Sequence, residues 1–226
     1  DIHVATIPEL PDEFKNYNLY DVIQKCLSSR CSKSEFKENI DLISNCLISV
    51  CKDNIKKLDS FGKSEVDFSD LSIPKIFWQI VLFSINESTS KNNDDNNLPI
   101  YQLFIDLQNY CSKETCTIYL LYNAIIDQLR YQNKHTSLAS RLLSKLFINA
   151  NDDQKELLIV CLIKRLMCVT QPPKSIIFLF KSITLKFGSE INKLFKENGE
   201  FHLFESVVSI VNAFTVRKSQ SDNNFM

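Results

Sequence analysis

The sequence predicts an all-α fold, on three observations. Apolar residues recur at i, i+3, i+4 and i+7 along almost the whole chain, which lays one stripe on a helix rather than alternating across a strand. Glycine and proline are scarce, at 3 and 6 of 226 residues, about 4% against roughly 12% in an average protein. Helix-start signals stand in front of the periodic segments, as at Ser32-x-x-Glu35, Pro74 and Asn151. The same glycine shortage argues against Walker loops, dinucleotide-binding folds and β-barrels, whose turns and phosphate cradles require it.

The elements follow in order. A first helix is expected from about Tyr17 to Arg30, with Leu19, Val22, Ile23, Cys26 and Leu27 on one face. The Ser32/Glu35 capping box opens a second, whose stripe is Phe36, Ile40, Ile43, Leu47 and Val50. Asp59 to Ser72 is mixed in charge, contains Gly62, and reads as a loop. Pro74 begins a third helix through Ile76, Phe77, Ile80, Val81 and Phe83. Ser88 to Asn97 is a polar, Asn-rich stretch with nothing to bury, so a solvated, flexible loop is expected there.

After Pro99 comes a helix carrying Leu103, Phe104 and Leu107, then one from Thr117 to Tyr131 with Ile118, Leu121, Ile125 and Leu129 aligned. Thr136 or Ser137 is expected to cap a helix over Leu138 to Ile148, and Asn151 caps the next, with Asp152 and Asp153 at its positive end. Gln171-Pro172-Pro173 ends that helix. A further helix runs to Phe187 and stops at Gly188, and two more occupy Ser189 to Asn198 and Phe201 to Phe214. The total is about ten. Short connections make successive helices antiparallel neighbours, so irregular HEAT-like or MIF4G-like pairs are expected, although no fixed period repeats. Residues 1–226 read as one helical scaffold domain with a polar tail over 216–226.

Composition limits the function. An apolar fraction of 44% is ample for a core, and a net charge of −1 gives no basic excess with which to grip nucleic acid by its phosphates. The longest apolar run, Leu157 to Ile163, has seven residues, so no membrane span is expected. The opening Asp1-Ile2-His3 has neither an initiator Met nor a signal-peptide pattern, as expected of a piece of a longer protein.

Eight cysteines fall at 26/31, 46/51, 111/116 and 161/168. Most sit inside apolar helical patterns, and helix positions five apart point about 140° away from each other, so one pair cannot easily chelate an ion. Buried free thiols are the expectation, ahead of disulfides or a metal site. The three histidines, His3, His135 and His202, show no metal-ligand spacing, and the acidic pairs Asp94-Asp95 and Asp152-Asp153 have structural explanations in a loop and a helix start. No catalytic constellation, metal or cofactor site is expected.

The densest polar cluster is Tyr122 to Thr136, YNAIIDQLRYQNKHT. Asn123, Asp127, Arg130 and Lys134 share a helix face, and Asp127 can pair with Arg130 at i,i+3. Asn133 and Thr136 stand at the turn into the next helix, where their side chains can hold free amides. This reads either as a polar face with a helix–turn–helix corner or as a contact surface.

This string resembles the signature of the C-terminal homology domain of Not-one, the scaffold subunit of the CCR–NOT deadenylase complex. Asn123, Ala124, Ile125, Gln128, Leu129, Arg130, Tyr131, Asn133, His135 and Thr136 match that pattern, and Gln132 replaces its usual Pro. The resemblance extends over Leu98 to Phe204, through Leu162 to Leu166 with Pro172 and Pro173, and through Glu190 to Phe195. It departs at Lys174-Ser175, where the family has Trp-Gly.

The resemblance implies a helical docking platform without catalytic residues. Its partners would be Not-two and Not-three (or Not-five) subunits and peptide motifs of translational repressors, with RNA contacted only indirectly. It also implies work in mRNA deadenylation, decay and translational repression, in the cytoplasm, in processing bodies and in the nucleus. Tethering of this kind raises the effective concentration of tail-shortening enzymes at a captured messenger. Ile176, Phe178 and Phe180 lie in a wholly apolar run, too broad for one helix face, and are expected in a central core helix or a partner groove. The alternatives are a generic HEAT-like adaptor, an RNA-binding helical domain, and a hydrolase built on a Cys–His pair.

Overall fold

The computed structural model describes residues 10–28, 31–59, 72–90, 99–130, 134–167 and 174–197. Among them are eight α-helices, two short 3-10 turns and no strand. The chain divides into two compact units, Asp1–Ala150 and Asn151–Met226.

The first unit opens with a 3-10 turn at Asp12–Phe14, followed by α1 (Leu19–Cys26), α2 (Lys33–Asp59), α3 (Lys75–Ser90), α4 (Pro99–Tyr110) and α5 (Thr115–Asp127). A second 3-10 turn, Gln128–Arg130, leads to α6 (Lys134–Asn149). Local chemistry sets the starts. The Asn18 carboxamide accepts from the Tyr20 amide at 3.2 Å and caps α1. The expected capping box closes in both directions before α2: the Glu35 amide donates to Ser32 Oγ at 3.3 Å and the Ser32 amide to Glu35 Oε2 at 3.1 Å. The Ser32 hydroxyl also donates to Glu35 Oε2 at 2.8 Å, and this bond, with that from the Ser32 amide, holds the exposed Glu35 carboxyl below the usual range.

The centre of this unit is α5. Its sequence TCTIYLLYNAIID is apolar on every side, and every residue from Cys116 to Asp127 except Asn123 is buried. Around it pack α2, α3 and α6, and α4 lies against α2, α3 and α6. Ile43, Cys46 and Leu47 of α2, Phe77 and Val81 of α3, Leu103, Phe104 and Leu107 of α4, and Leu142, Leu143 and Phe147 of α6 are all buried. These are the residues that the helical stripes single out.

The second unit holds α7 (Asp152–Met167) and α8 (Lys174–Glu197), packed on each other. Asn151 caps α7 as expected: its Oδ1 accepts from the Gln154 amide at 2.9 Å, and Gln154 Oε1 accepts from the Asn151 amide at 3.1 Å. Lys155 of α7 pairs with Glu190 of α8. Leu158, Leu162, Leu166, Ile176, Leu179, Phe180, Ile183 and Ile191 are buried.

Four expectations need correction. Among the described residues the helix count is eight, against about ten expected over the whole chain. Gly188 does not stop a helix: α8 kinks at Phe187 (φ −124, ψ 20) and continues to Glu197, joining two expected helices. The other, Phe201 to Phe214, lies outside the described residues. Helix α3 overruns the start of the expected polar loop, so that Ser88 is buried within it, and Thr89 Oγ1 bonds the Asn86 carbonyl at 3.0 Å. Finally, α6 begins at Lys134, so Thr136 and Ser137 sit in its first turn rather than in front of it.

Gly188 offers a direct test of the kink. A Cβ built there meets nothing within 4 Å. Gly188→Ala should therefore stabilise the second unit by about 0.5–1 kcal/mol, because alanine loses less backbone entropy on folding. A thermal melt showing a fall instead would mean that the kink requires glycine.

Candidate functional site

The Tyr122 to Thr136 signature runs along the second half of α5, through the 3-10 turn, and into α6. Its first part is interior. Tyr122 is fully buried, and its hydroxyl donates to Gln108 Oε1 of α4 at 2.7 Å. Gln108, also fully buried, donates from Nε2 to the Leu146 carbonyl at 3.3 Å. Leu146 is among the last four residues of α6, whose carbonyls have no partner further along the helix. One glutamine thus ties α4, α5 and the end of α6 together.

A second link crosses from α3. The indole N–H of Trp78 donates to Asp127 Oδ2 at 3.0 Å. Asp127, the last residue of α5, is only 8% exposed, whereas Trp78 is 40% exposed. Its ring borders solvent while its N–H points inward. The expected polar stripe is therefore not a solvated face: Asp127 belongs to the core, and Asn123 is half-buried, its Nδ2 bonded to the Tyr119 carbonyl at 2.8 Å. The reason is tertiary. A carboxyl group is tolerated inside when hydrogen-bond donors meet it, and here one donor comes from a residue 49 positions away.

The remaining signature residues shape the corner. Gln128 Nε2 reaches the Ala124 carbonyl at 3.4 Å, and Thr136 Oγ1 reaches the Gln128 carbonyl at 3.5 Å, tying the first turn of α6 to the 3-10 turn. His135 is half-buried in that same turn of α6. Tyr131 and Asn133, and the side chains of Arg130 and Lys134, lie outside the described residues, and with them the expected Asp127–Arg130 pair. In the second unit the apolar run divides by helical phase. Ile176 and Phe180 are buried, while Phe178 is 63% exposed and Leu185, seven residues on and on the same face of α8, is 77% exposed.

Trp78, Gln108 and Asp127 escape sequence reasoning as linking residues. Their only signal is chemical: a lone tryptophan and two polar residues interrupting apolar stripes.

Among the described residues no three His, Cys, Asp or Glu side chains converge as metal ligands, and no helix is long and apolar enough to cross a membrane. A cleft lined by Leu10, Asp12, Val50, Asp53, Pro74 and Ile76 opens between the first 3-10 turn, α2 and the start of α3, carrying charges of both signs. None of the seven described cysteines is in a disulfide, and all but the half-buried Cys31 are buried. Burial pushes the thiols of Cys26 and Cys46 up to about 12 and that of Cys111 to about 11, which keeps them protonated and unreactive at neutral pH. Cys51 differs. Its sulfur stands 2.8 Å from that of Cys116, whose hydrogen bond holds Cys51 below the usual thiol range and raises Cys116 well above it.

Fold and site together define an all-helical protein whose distinctive polar residues join helices to one another. The family model described as CCR4-Not complex component, Not1, matches residues 4–186, and the chain belongs to that family. The match includes the whole Tyr122 to Thr136 signature, begins well before Leu98, and ends short of the resemblance at Glu190 to Phe195. No curated protein and no solved structure matches the chain.

Proposed function

We propose that this chain is a non-catalytic docking domain of the CCR–NOT complex, equivalent to the C-terminal domain of Not-one. It receives Not-two and Not-three (or Not-five) subunits and peptide motifs of translational repressors, while RNA is reached only through those partners. Its helices form HEAT-like or MIF4G-like pairs. It serves mRNA deadenylation, decay and repression in the cytoplasm, in processing bodies and in the nucleus.

The observation that carries this reading is the family match over residues 4–186, which contains the signature. Two features support it. The described polar residues of the signature hold the α3–α5–α6 corner together, as a rigid platform requires. Exposed apolar side chains, Phe178 and Leu185 on α8 and Trp78 and Leu82 on α3, supply the kind of surface that partner segments cover. Affinity would come from apolar contacts, and polar groups at their rim would fix register.

Co-expression with a Not-two-like and Not-three-like pair should yield one ternary assembly. The purified chain, incubated alone with polyadenylated RNA, should leave the tail length unchanged. Recovery of the heterodimer without the chain, or tail shortening by the chain alone, would refute the reading.

A further inference from the structure

The functional reading leaves one pair of groups unused. Cys51 of α2 and Cys116 of α5 are 65 residues apart in sequence, yet their sulfurs lie 2.8 Å from each other. A disulfide needs an S–S distance of about 2.05 Å, so the sulfurs must close by less than about 1 Å. The spacing of cysteines along the chain suggests neighbours five apart, but the fold pairs these two instead.

We propose that Cys51 and Cys116 are a two-thiol oxidation site, at which a hydroperoxide is reduced and the sulfurs end as a disulfide joining α2 to α5. The chemistry divides into two balanced steps. The Cys51 thiolate attacks one peroxide oxygen; the O–O bond breaks, hydroxide leaves, and Cys51 becomes a sulfenic acid. Cys116 sulfur then attacks Cys51 sulfur; the S–O bond breaks, and its oxygen leaves as water with the Cys116 proton. Overall, two thiols and one hydrogen peroxide give one disulfide and two waters.

The surroundings suit these roles. Cys51 is the nucleophile: its close contact with Cys116 is the largest influence on it and favours the thiolate, with Lys52 acting in the same direction against burial and the Glu114 carboxylate. Cys116, kept protonated, is the resolving thiol. Both side chains are buried, at 2% and 8% exposure. Lys52 and Glu114, close to them in sequence, form an exposed ion pair at 3.8 Å. Cys26, Cys46 and Cys111, by contrast, are held protonated by burial. Cross-linking α2 to α5 would lock the signature helix to its neighbour and restrict the unfolded chain across a long loop.

The test uses the 226-residue chain, first reduced, then freed of reductant and exposed to hydrogen peroxide. Remaining thiols are alkylated under denaturing conditions, and the protein is digested without reductant for mass spectrometry. The expected result is a Cys51–Cys116 linked peptide, two hydrogens lighter than the sum of its parts and at least tenfold more abundant than any other oxidised cysteine product. Dithiothreitol should abolish it, and the oxidised chain should melt about 5–10 °C higher. In Cys116→Ser, dimedone should instead trap a sulfenic acid on Cys51. Recovery of Cys51 and Cys116 as alkylated thiols while Cys31 oxidises, or linkage of either to another cysteine, would overturn the proposal. The wild-type result decides it even where a variant fails to fold.

Discussion

Tyr122→Ala should destabilise the first unit by about 3–5 kcal/mol, enough to lower its melting temperature by roughly 10 °C. The ring is fully buried at the centre of α5, so truncation opens a cavity that three packed neighbouring helices cannot collapse to fill. It also deprives Gln108 of the hydroxyl that meets it at 2.7 Å. Tyr122→Phe separates the two losses. The ring stays and only the hydrogen bond goes, for about 1–2 kcal/mol. Equal costs for the two variants would mean that the hydroxyl bond, rather than ring packing, holds α4 to α5. Denaturant unfolding of both, with unchanged slopes, provides the measurement.

The second large effect is expected at Asp127. Removing its carboxylate by Asp127→Ala should cost about 1.5–3 kcal/mol, the range for a hydrogen bond to a charged group, because the Trp78 indole N–H loses its acceptor. Trp78→Phe should cost a similar amount, since it takes one hydrogen-bond donor from a carboxyl group that is only 8% exposed. The double variant should be markedly less damaged than the sum of the two, with a coupling above about 1 kcal/mol. Additive costs would show that the 3.0 Å contact contributes nothing to stability.

These sites show what the sequence reveals and what it leaves hidden. Helical class, most helix positions and the stripes of buried residues follow from local periodicity, since a 3.6-residue repeat needs no knowledge of neighbours. Both reciprocal caps, at Ser32/Glu35 and Asn151/Gln154, are likewise local. The central helix is not. The apolar run from Ile176 to Phe180 suggests a core helix in the second half of the chain, yet that run leaves Phe178 in solvent, and α5 is the more deeply buried helix. Apolar content alone does not say which faces the neighbours cover.

Asp127 fails the local reading for the same reason. On a helix wheel it joins Asn123 and Arg130 as a polar face, whereas in the fold it is buried and meets Trp78 from α3. The thiol pair fails it too, because the short spacings 46/51 and 111/116 conceal a contact between the second member of each, across two helices. Gly188 misleads in the opposite direction. Glycine is a common helix terminator, but here the chain bends one residue earlier and continues as a helix. The signature fares better: its identity is legible as a string, while its role as the joint between α3, α5 and α6 emerges only from the fold.

The central claim is that this domain works by binding. The most direct measurement is a titration of the purified chain with a heterodimer of Not-two-like and Not-three-like subunits, followed by sedimentation or calorimetry. A single complex forming at micromolar concentration or below is expected. Arg130→Ala, at the signature corner, should lower the chain's melting temperature more than its affinity if the corner serves as an internal support. A variant that melts like the parent but no longer binds would instead place Arg130 at the interface. A parent chain that binds neither subunit at micromolar concentration would contradict the account.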